Sequence, residues 1–270
     1  MRLRTMARRL MSRPWFAVMR RARTGLCLWL ALACGQPLGA QTLARTALVP
    51  ILQAEFTGPT TRYAHGVLGD AVEWSGLKIS FIGAGSDADV FAVTLPRDHV
   101  FEDLQPRLVD LDLDGHPDAV MVIETDVAQG AALALYGAAG KITQTPHIGR
   151  RNRWLAPIGA ADLDGDGHIE LAYIDRPHLA KRLRIWRYDG AELHELASKP
   201  GLTNHRIGDD FITSGLRVCG AGASQVSELV TVDAQWRRLM ASRLVAGQIE
   251  TRDIGAFSGS ASLKAALECS

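Results

Sequence analysis

Short apolar runs, separated by turns rich in glycine and aspartate, recur along the chain and predict β-strands. One set of four runs is especially regular, and an Asp189-Gly190 turn precedes its last member. The members are residues 157–162, 168–175, 181–187 and 192–197. Runs of this length, rich in apolar and β-branched residues, predict one four-stranded antiparallel sheet.

Three further quartets follow the same rhythm along the chain. The strand candidates of one quartet are residues 107–111, 118–124, 131–136 and 141–145. A weaker quartet precedes it, beginning at about Tyr63 and continuing through residues 77–82, 90–94 and 100–101. Another weaker quartet ends the chain, beginning at Phe211 and continuing through residues 229–232, 236–245 and 249–252. The pattern as a whole predicts an all-β protein.

Two nine-residue segments carry carboxylates at positions 1, 3, 5 and 9 and lie 52 residues apart. We name residues 110–118 the first acidic loop and residues 162–170 the second acidic loop. Their carboxylates belong to Asp110, Asp112, Asp114 and Asp118, and to Asp162, Asp164, Asp166 and Glu170. Four carboxylates in so short a segment repel one another, and Ca²⁺ accepts about six to eight oxygen ligands in flexible geometry. The spacing predicts two calcium ions, one in each loop.

Position 7 of each loop is a histidine, and position 6 is a glycine that permits a sharp bend. We expect His116 and His168 to offer the ions their backbone carbonyl oxygens, without a role for the imidazole rings. The alternative is a pair of acidic turns whose aspartates bond their own backbone, but the repeated spacing favours calcium. An EF-hand is excluded, because position 12 is Met121 in one loop and Tyr173 in the other, where that motif requires a glutamate.

The stretch 160–171, an acidic loop leading into a strand pattern, resembles the FG-GAP or VCBS repeat of integrin-α-like β-propellers. In that family such a loop links the first two strands of a blade. The resemblance implies a small β-propeller over residues 41–270, built of about four four-stranded antiparallel blades, or five if extra terminal strands complete another. It also implies a binding or scaffolding module. The two weaker quartets lack the acidic loop, so we expect no calcium there.

The first forty residues contain eight arginines and no acidic residue, and they lead into an apolar segment, 25–34, that is too short to span a bilayer. This pattern predicts a secretory signal peptide over residues 1–40 and export to the periplasm or the exterior. Lipidation of Cys34 is the less favoured alternative, because residues 31–33 fit a lipoprotein signal poorly. We expect no transmembrane segment after cleavage.

Removal of the leader changes the charge balance of the protein. It leaves 22 basic against 29 acidic residues, a net charge of −7 in place of +1 for the whole chain. Nucleic acids attract basic surfaces, so an acidic chain argues against that class of partner. We expect a protein or polysaccharide ligand instead.

Two cysteines, Cys219 and Cys269, remain after cleavage. In an oxidising compartment such a pair usually forms one disulfide, which would tie the C-terminal tail to the last quartet. Two free thiols are the alternative.

Four histidines fall near the starts of the quartets: His65, His99, His147 and His205. Converging imidazoles can bind a transition metal or carry protons, but we favour hydrogen bonds between blades, because no carboxylate or cysteine accompanies them at a ligand spacing. The sequence has no nucleophile elbow, zinc-protease motif or phosphate-binding glycine loop. A hydrolase or lyase acting on an extracellular polymer, and a subunit of an envelope complex, are the alternative functions.

Overall fold

The computed structural model describes residues 48–83, 85, 87–220 and 225–269. The predicted signal peptide, and with it Cys34, lies outside this range. Within it, antiparallel strands account for nearly all the regular structure, and one short helix lies near the C-terminus. The all-β prediction is therefore confirmed.

The first sheet contains eight strands and joins two of the predicted quartets. They are β1 (Ile51–Thr60), β2 (Glu73–Ile82), β3 (Ala88–Thr94), β4 (His99–Phe101), β5 (Arg107–Val109), β6 (Ala119–Asp126), β7 (Gly130–Gly137) and β8 (Gly140–Gln144). The order is β1-β2-β4-β6-β7-β8, with β3 paired to β2 and β5 paired to β6. Strand β6 is long enough to pair with β5 near its start and with β4 at its end, where His99 lies opposite Asp126. Strand β4 thus links two quartets that we expected to be separate.

The second sheet has the four strands and the order that the sequence predicts. They are β9 (Leu155–Ala161), β10 (Glu170–Asp175), β11 (Arg182–Tyr188) and β12 (Leu193–Pro200). Each pairs antiparallel with the next along the chain. The Asp189-Gly190 turn joins β11 to β12, because the Asp189 carboxylate accepts hydrogen bonds from the backbone N–H groups of Ala191 and Glu192 at 2.9 and 2.8 Å.

The third sheet has five strands and carries the helix. The strands are β13 (Leu202–Thr203), β14 (Gly215–Cys219), β15 (Val226–Asp233), β16 (Arg238–Val245) and β17 (Gln248–Ala256), and the helix is α1 (Ser260–Leu267). Leu267 of α1 lies against Gly215, where a β-carbon would come within 2.8 Å of the leucine side chain. Cys219 and Cys269 form a disulfide with a Cα–Cα distance of 5.8 Å, so the predicted link between the tail and the last sheet is confirmed.

Two segments differ from the sequence prediction. The first quartet begins with β1 and not near Tyr63, which lies in a turn with its side chain fully buried. The chain after β17 forms α1 where an extra strand was considered. Alanine, leucine and lysine dominate this segment, and these residues favour helix over strand.

The core runs through the central strands of the sheets. Every residue of β7 and of β10 is buried, as are all but the last of β6, so these strands are covered on both faces. That environment explains their continuous apolar sequences, since a strand with one wet face would alternate. The acidic loops connect β5 to β6 and β9 to β10, so each is anchored on a buried strand.

Candidate metal centre in two acidic loops

The acidic loops have the same backbone design. The glycines at position 6, Gly115 and Gly167, have φ of 93° and 83°, in the left-handed region that glycine adopts without strain. Position 4 is also left-handed, with Gly165 at 80° in the second loop and Leu113 at 61° in the first. These bends turn each exposed loop back on itself, so that carboxylates from its start and its end come together.

Three of the four carboxylates in each loop form a cluster. Oxygens of Asp110, Asp112 and Asp118 lie within 4.8 Å of one another, and so do oxygens of Asp162, Asp164 and Glu170. These are positions 1, 3 and 9 of the predicted ligand set. The position-5 carboxylates lie outside the two clusters. Asp114 and Asp166 accept hydrogen bonds from the backbone N–H of the position-7 histidines, His116 and His168, at 2.8 and 3.1 Å.

The position-1 aspartates also bond the backbone of their own loops. Asp110 accepts from the N–H of Asp114 and Gly115 at 3.2 and 2.8 Å, and Asp162 accepts from the N–H of Gly167 at 3.0 Å. This is the turn chemistry that we considered as the alternative to calcium. It occupies some of the lone pairs of position 1. Asp112 at position 3 likewise accepts the N–H of Asp114 at 3.3 Å, so position 9 is the informative one.

Position 9 distinguishes the two loops. One oxygen of Asp118 accepts the N–H of Leu111 at 3.1 Å, while its other oxygen, Oδ2, is buried and has no hydrogen-bond partner. Glu170 likewise accepts the N–H of Leu163 at 2.9 Å, but its second oxygen accepts from Arg187 Nε at 2.6 Å. A buried carboxylate oxygen without a partner is costly, so the first loop offers a position that a cation would satisfy.

The electrostatics of Asp118 follow from this arrangement. Burial, reinforced by the charges of Asp112 and Asp110, raises the pKa of Asp118 to about 6. In the second loop burial also raises the pKa of Glu170, but the Arg187 guanidinium opposes that shift. The residues of the first loop therefore fit a hard divalent ion, which would lower the cost of the buried charge.

A second group of polar side chains, which we call the polar network, joins His65, Glu102, Trp154, His178 and His205. His65 Nδ1 hydrogen-bonds the fully buried Glu102, and Trp154 Nε1 donates to the Glu102 backbone oxygen at 2.8 Å. His178 Nε2 lies 3.0 Å from His205 Nδ1, and the His205 ring centre is 4.9 Å from that of Trp154. Burial lowers the pKa of His178 to about 4, with a contribution from His205.

The four predicted histidines therefore do not form one site. His65 and His205 belong to the polar network, whereas His99 and His147 pack edge to face with ring centres 6.0 Å apart. All four of them bond protein groups. His65 bonds Glu102, and His99 bonds the carboxylate of Asp98 at 3.0 Å. His147 bonds the carbonyl of Gly130 at 2.7 Å, and His205 bonds the carbonyl of Asp209 at 2.9 Å. Among the described residues, the acidic loops alone bring three ligand atoms within 4.8 Å, so the histidines do not form a metal cluster of that kind.

Sequence reasoning missed the buried acids in the polar network and next to it. Glu73 at the start of β2 is 2% exposed, and burial together with Glu102 raises its pKa to about 9. Burial also raises the pKa of Glu102 and of Asp103, the latter despite its ion pair with Arg107 at 2.8 Å. These acids belong to no sequence motif. The one signal was the Glu102-Asp103 pair next to a strand end.

The comparison with protein families bears on the two loops directly. Residues 110–173 match the family described as the FG-GAP-like repeat. We call these residues the FG-GAP-like segment. It begins at position 1 of the first acidic loop and ends at Tyr173 in β10, so the FG-GAP-like segment includes both loops and β6 to β9 between them. The resemblance drawn from the loop residues is thereby confirmed. No curated protein matches the chain.

No helix among the described residues has the length and apolar character needed to cross a membrane.

Proposed function

We propose that this protein is an exported, calcium-stabilised β-propeller that serves as a binding or scaffolding module for a protein or polysaccharide. The FG-GAP-like segment supports the propeller type, and its two acidic loops occupy equivalent places, each between the first two strands of a predicted quartet. The disulfide between Cys219 and Cys269 fits an oxidising compartment.

The proposal of calcium rests on one observation, the unpartnered buried oxygen of Asp118. It lies beside the carboxylates of Asp110 and Asp112. Within the described part of the chain, these three acidic groups form no ion pair with a basic side chain. Asp110, Asp112 and Asp118 would hold the ion in the first loop, and Asp162, Asp164 and Glu170 in the second. Bound calcium supplies positive charge there and so stabilises the fold, without a chemical step.

The contacts between distant parts of the chain support a ring of blades. The backbone N–H of Gly208 donates to the carbonyl of Val67 at 3.2 Å, and a β-carbon at Gly69 would come within 2.9 Å of the Gly208 oxygen. The loop between β1 and β2 therefore meets the loop between β13 and β14. A propeller needs such contact between its first and last blades, and the disulfide fastens the same last sheet.

The test of calcium binding is a thermal melt of chelator-treated protein with and without calcium. Extracellular modules bind calcium with a dissociation constant of about 10⁻⁴ to 10⁻³ M. At ~2 mM calcium, each occupied site then raises the free energy of unfolding by about 0.6 to 1.8 kcal/mol. For a domain of this size that raises Tm by about 2–4 °C per kcal/mol. Asp112→Ala removes a position-3 carboxylate and should reduce the gain, whereas Asp87→Ala, at an exposed aspartate outside the loops, should keep it. Equal melting of the wild type with and without calcium would refute the proposal.

A further inference from the structure

We propose that Arg187 acts as a built-in cation in the second acidic loop, so that the two loops differ in calcium affinity and the first loop binds calcium first. This inference rests on the proposed calcium function and concerns its regulation. It assigns to one side chain of β11 a role that neither the loop spacing nor the repeat family indicates.

Arg187 forms ion pairs with three of the four carboxylates in the second loop. Its Nη2 lies 3.0 Å from Asp164 Oδ2, its Nη1 2.7 Å from Asp166 Oδ2, and its Nε 2.6 Å from Glu170 Oε1. Glu170 is fully buried, so this last contact is a charge-assisted hydrogen bond shielded from water. A planar guanidinium can donate hydrogen bonds to several carboxylates at once. A lysine ammonium group on its flexible side chain does this less well.

The sheet register explains how Arg187 reaches the loop. Strands β10 and β11 pair so that Arg187 lies directly opposite Glu170. Strands β6 and β7 form the corresponding hairpin, in which Val120 lies opposite Tyr136. Strand β7 ends at Gly137, where the chain turns back into β8, so this hairpin pairs no residue with Asp118. The first loop thus has no counterpart of Arg187 on its neighbouring strand.

The hydrogen bonds of the position-9 carboxylates differ between the two loops in the same way. Both residues use one oxygen to accept the N–H of the leucine at position 2, Leu111 or Leu163. The other oxygen bonds Arg187 in Glu170 and is without a partner in Asp118. Calcium entering the first loop therefore displaces no cation. Calcium entering the second loop must compete with Arg187 for Glu170 and for the position-3 carboxylate of Asp164.

The two loops should therefore differ in how much their stability depends on calcium. Arg187 offsets part of the negative charge of the second loop, so we expect β9 and β10 to stay joined when calcium is withdrawn. In the first loop the ion alone would offset the charge of the clustered carboxylates. Stability should therefore respond to calcium through the strands that flank the first loop, β5 and β6.

Calorimetric titration of the metal-free protein with calcium tests this proposal. We expect the wild type to bind one ion with at least about tenfold higher affinity than a second. Asp112→Ala should remove the tight ion, and Asp164→Ala should leave it in place. In Arg187→Ala the second ion should bind at least about tenfold more tightly than in the wild type, so that the two steps approach each other. These affinities are measured directly and need no assay of a biological ligand.

Arg184→Ala is the matched control, because Arg184 lies on the same strand but pairs with Asp175 and Glu195. It should keep the two-step titration of the wild type. Two ions of equal affinity in the wild type, or a tight ion lost in Asp164→Ala and kept in Asp112→Ala, would overturn the role of Arg187 while leaving calcium binding intact. If no protein variant binds calcium, the proposed function fails as well. Should Arg187→Ala not fold without calcium, the wild type and the two aspartate variants still decide between these outcomes.

Discussion

The buried carboxyl of Glu73 makes a prediction about pH that can be worked through in numbers. Glu73 begins β2, where it lies opposite Thr60 of β1, and it is 2% exposed. Its neighbours are acidic: Glu102, Asp70 and Asp103 all raise its pKa, after burial, which is the largest cause. The folded protein therefore holds a proton on Glu73 that the unfolded chain releases at neutral pH.

The sign and size of the effect follow from the linkage between proton binding and folding. Below the unfolded value of 4.5 both states are protonated, and Glu73 carries no penalty; as pH rises toward the folded value of about 9, stability is lost. The loss is about 1.4 kcal/mol per pH unit, because the folded state binds one more proton than the unfolded state. At pH 7 this amounts to about 3 kcal/mol, a large part of the stability of an ordinary domain. Glu73→Gln removes the titrating group and should recover much of that free energy.

Denaturant unfolding of wild type and Glu73→Gln, at several pH values from about 5 to 8, measures the effect. The variant should be more stable at pH 7 and should show a flatter pH profile, although Glu102 and Asp103 will keep part of the slope. Glu192→Gln, at an exposed glutamate before β12, is the matched control and should leave the profile unchanged. If Glu73→Gln is less stable than the wild type by the same amount at every pH, Glu73 is ionised in the folded protein and the reasoning is wrong.

Two further predictions concern contacts between residues that are distant in sequence. Replacing both Cys219 and Cys269 by alanine removes a disulfide that joins residues 50 apart in sequence. The free energy of unfolding should fall by about 2–4 kcal/mol. An unchanged denaturant midpoint would contradict this prediction. Trp154→Phe removes the indole N–H that donates to the carbonyl of Glu102 between the first and second sheets, and should cost about 1–3 kcal/mol. Denaturant unfolding measures this loss too, and a loss no larger than that of a conservative surface substitution would contradict it.

The parts of the fold that the sequence predicts are those encoded by residues close together in the chain. The second sheet is predicted strand by strand, because its apolar runs are bounded by the second acidic loop and the Asp189-Gly190 turn. The acidic clusters follow from spacing alone, since positions 1, 3 and 9 lie within one loop. The disulfide follows from having a single pair of cysteines after residue 40.

The parts that escaped prediction depend on neighbours that are distant in sequence or on weak local patterns. Strand β1 contains Gly58 and Pro59 and has one buried residue, Ile51, so its apolar alternation is faint. The pairing of β4 with both β2 and β6 is a tertiary choice that no periodicity records. The helix α1 has favourable helix formers, but an all-β pattern before it made a strand the default expectation.

The role of Arg187 is only partly predictable from the sequence. The strand 181–187 and its hairpin partner 168–175 are both predicted from the sequence, and a register aligned on Glu170 would have placed the arginine beside the acidic loop. Strand pairing shifts by whole residues, however, and a one-residue slip would send the guanidinium to the other face of the sheet. The presence of the cation is visible in the sequence, but its position relative to the loop is a property of the fold.

The acidic loops and the polar network lie at opposite ends of the same strands. Trp154 precedes β9 and His178 follows β10, while the second acidic loop joins the other ends of these two strands. Six residues of β10 separate the ends by about 20 Å, at roughly 3.3 Å per residue. In the first sheet Glu102 likewise precedes β5, and the first acidic loop follows it. An ion in either loop is too distant to orient a group of the polar network, so calcium can act on that end only by ordering the strands between. Chelation would therefore affect the polar network only as far as it loosens β5, β6, β9 and β10.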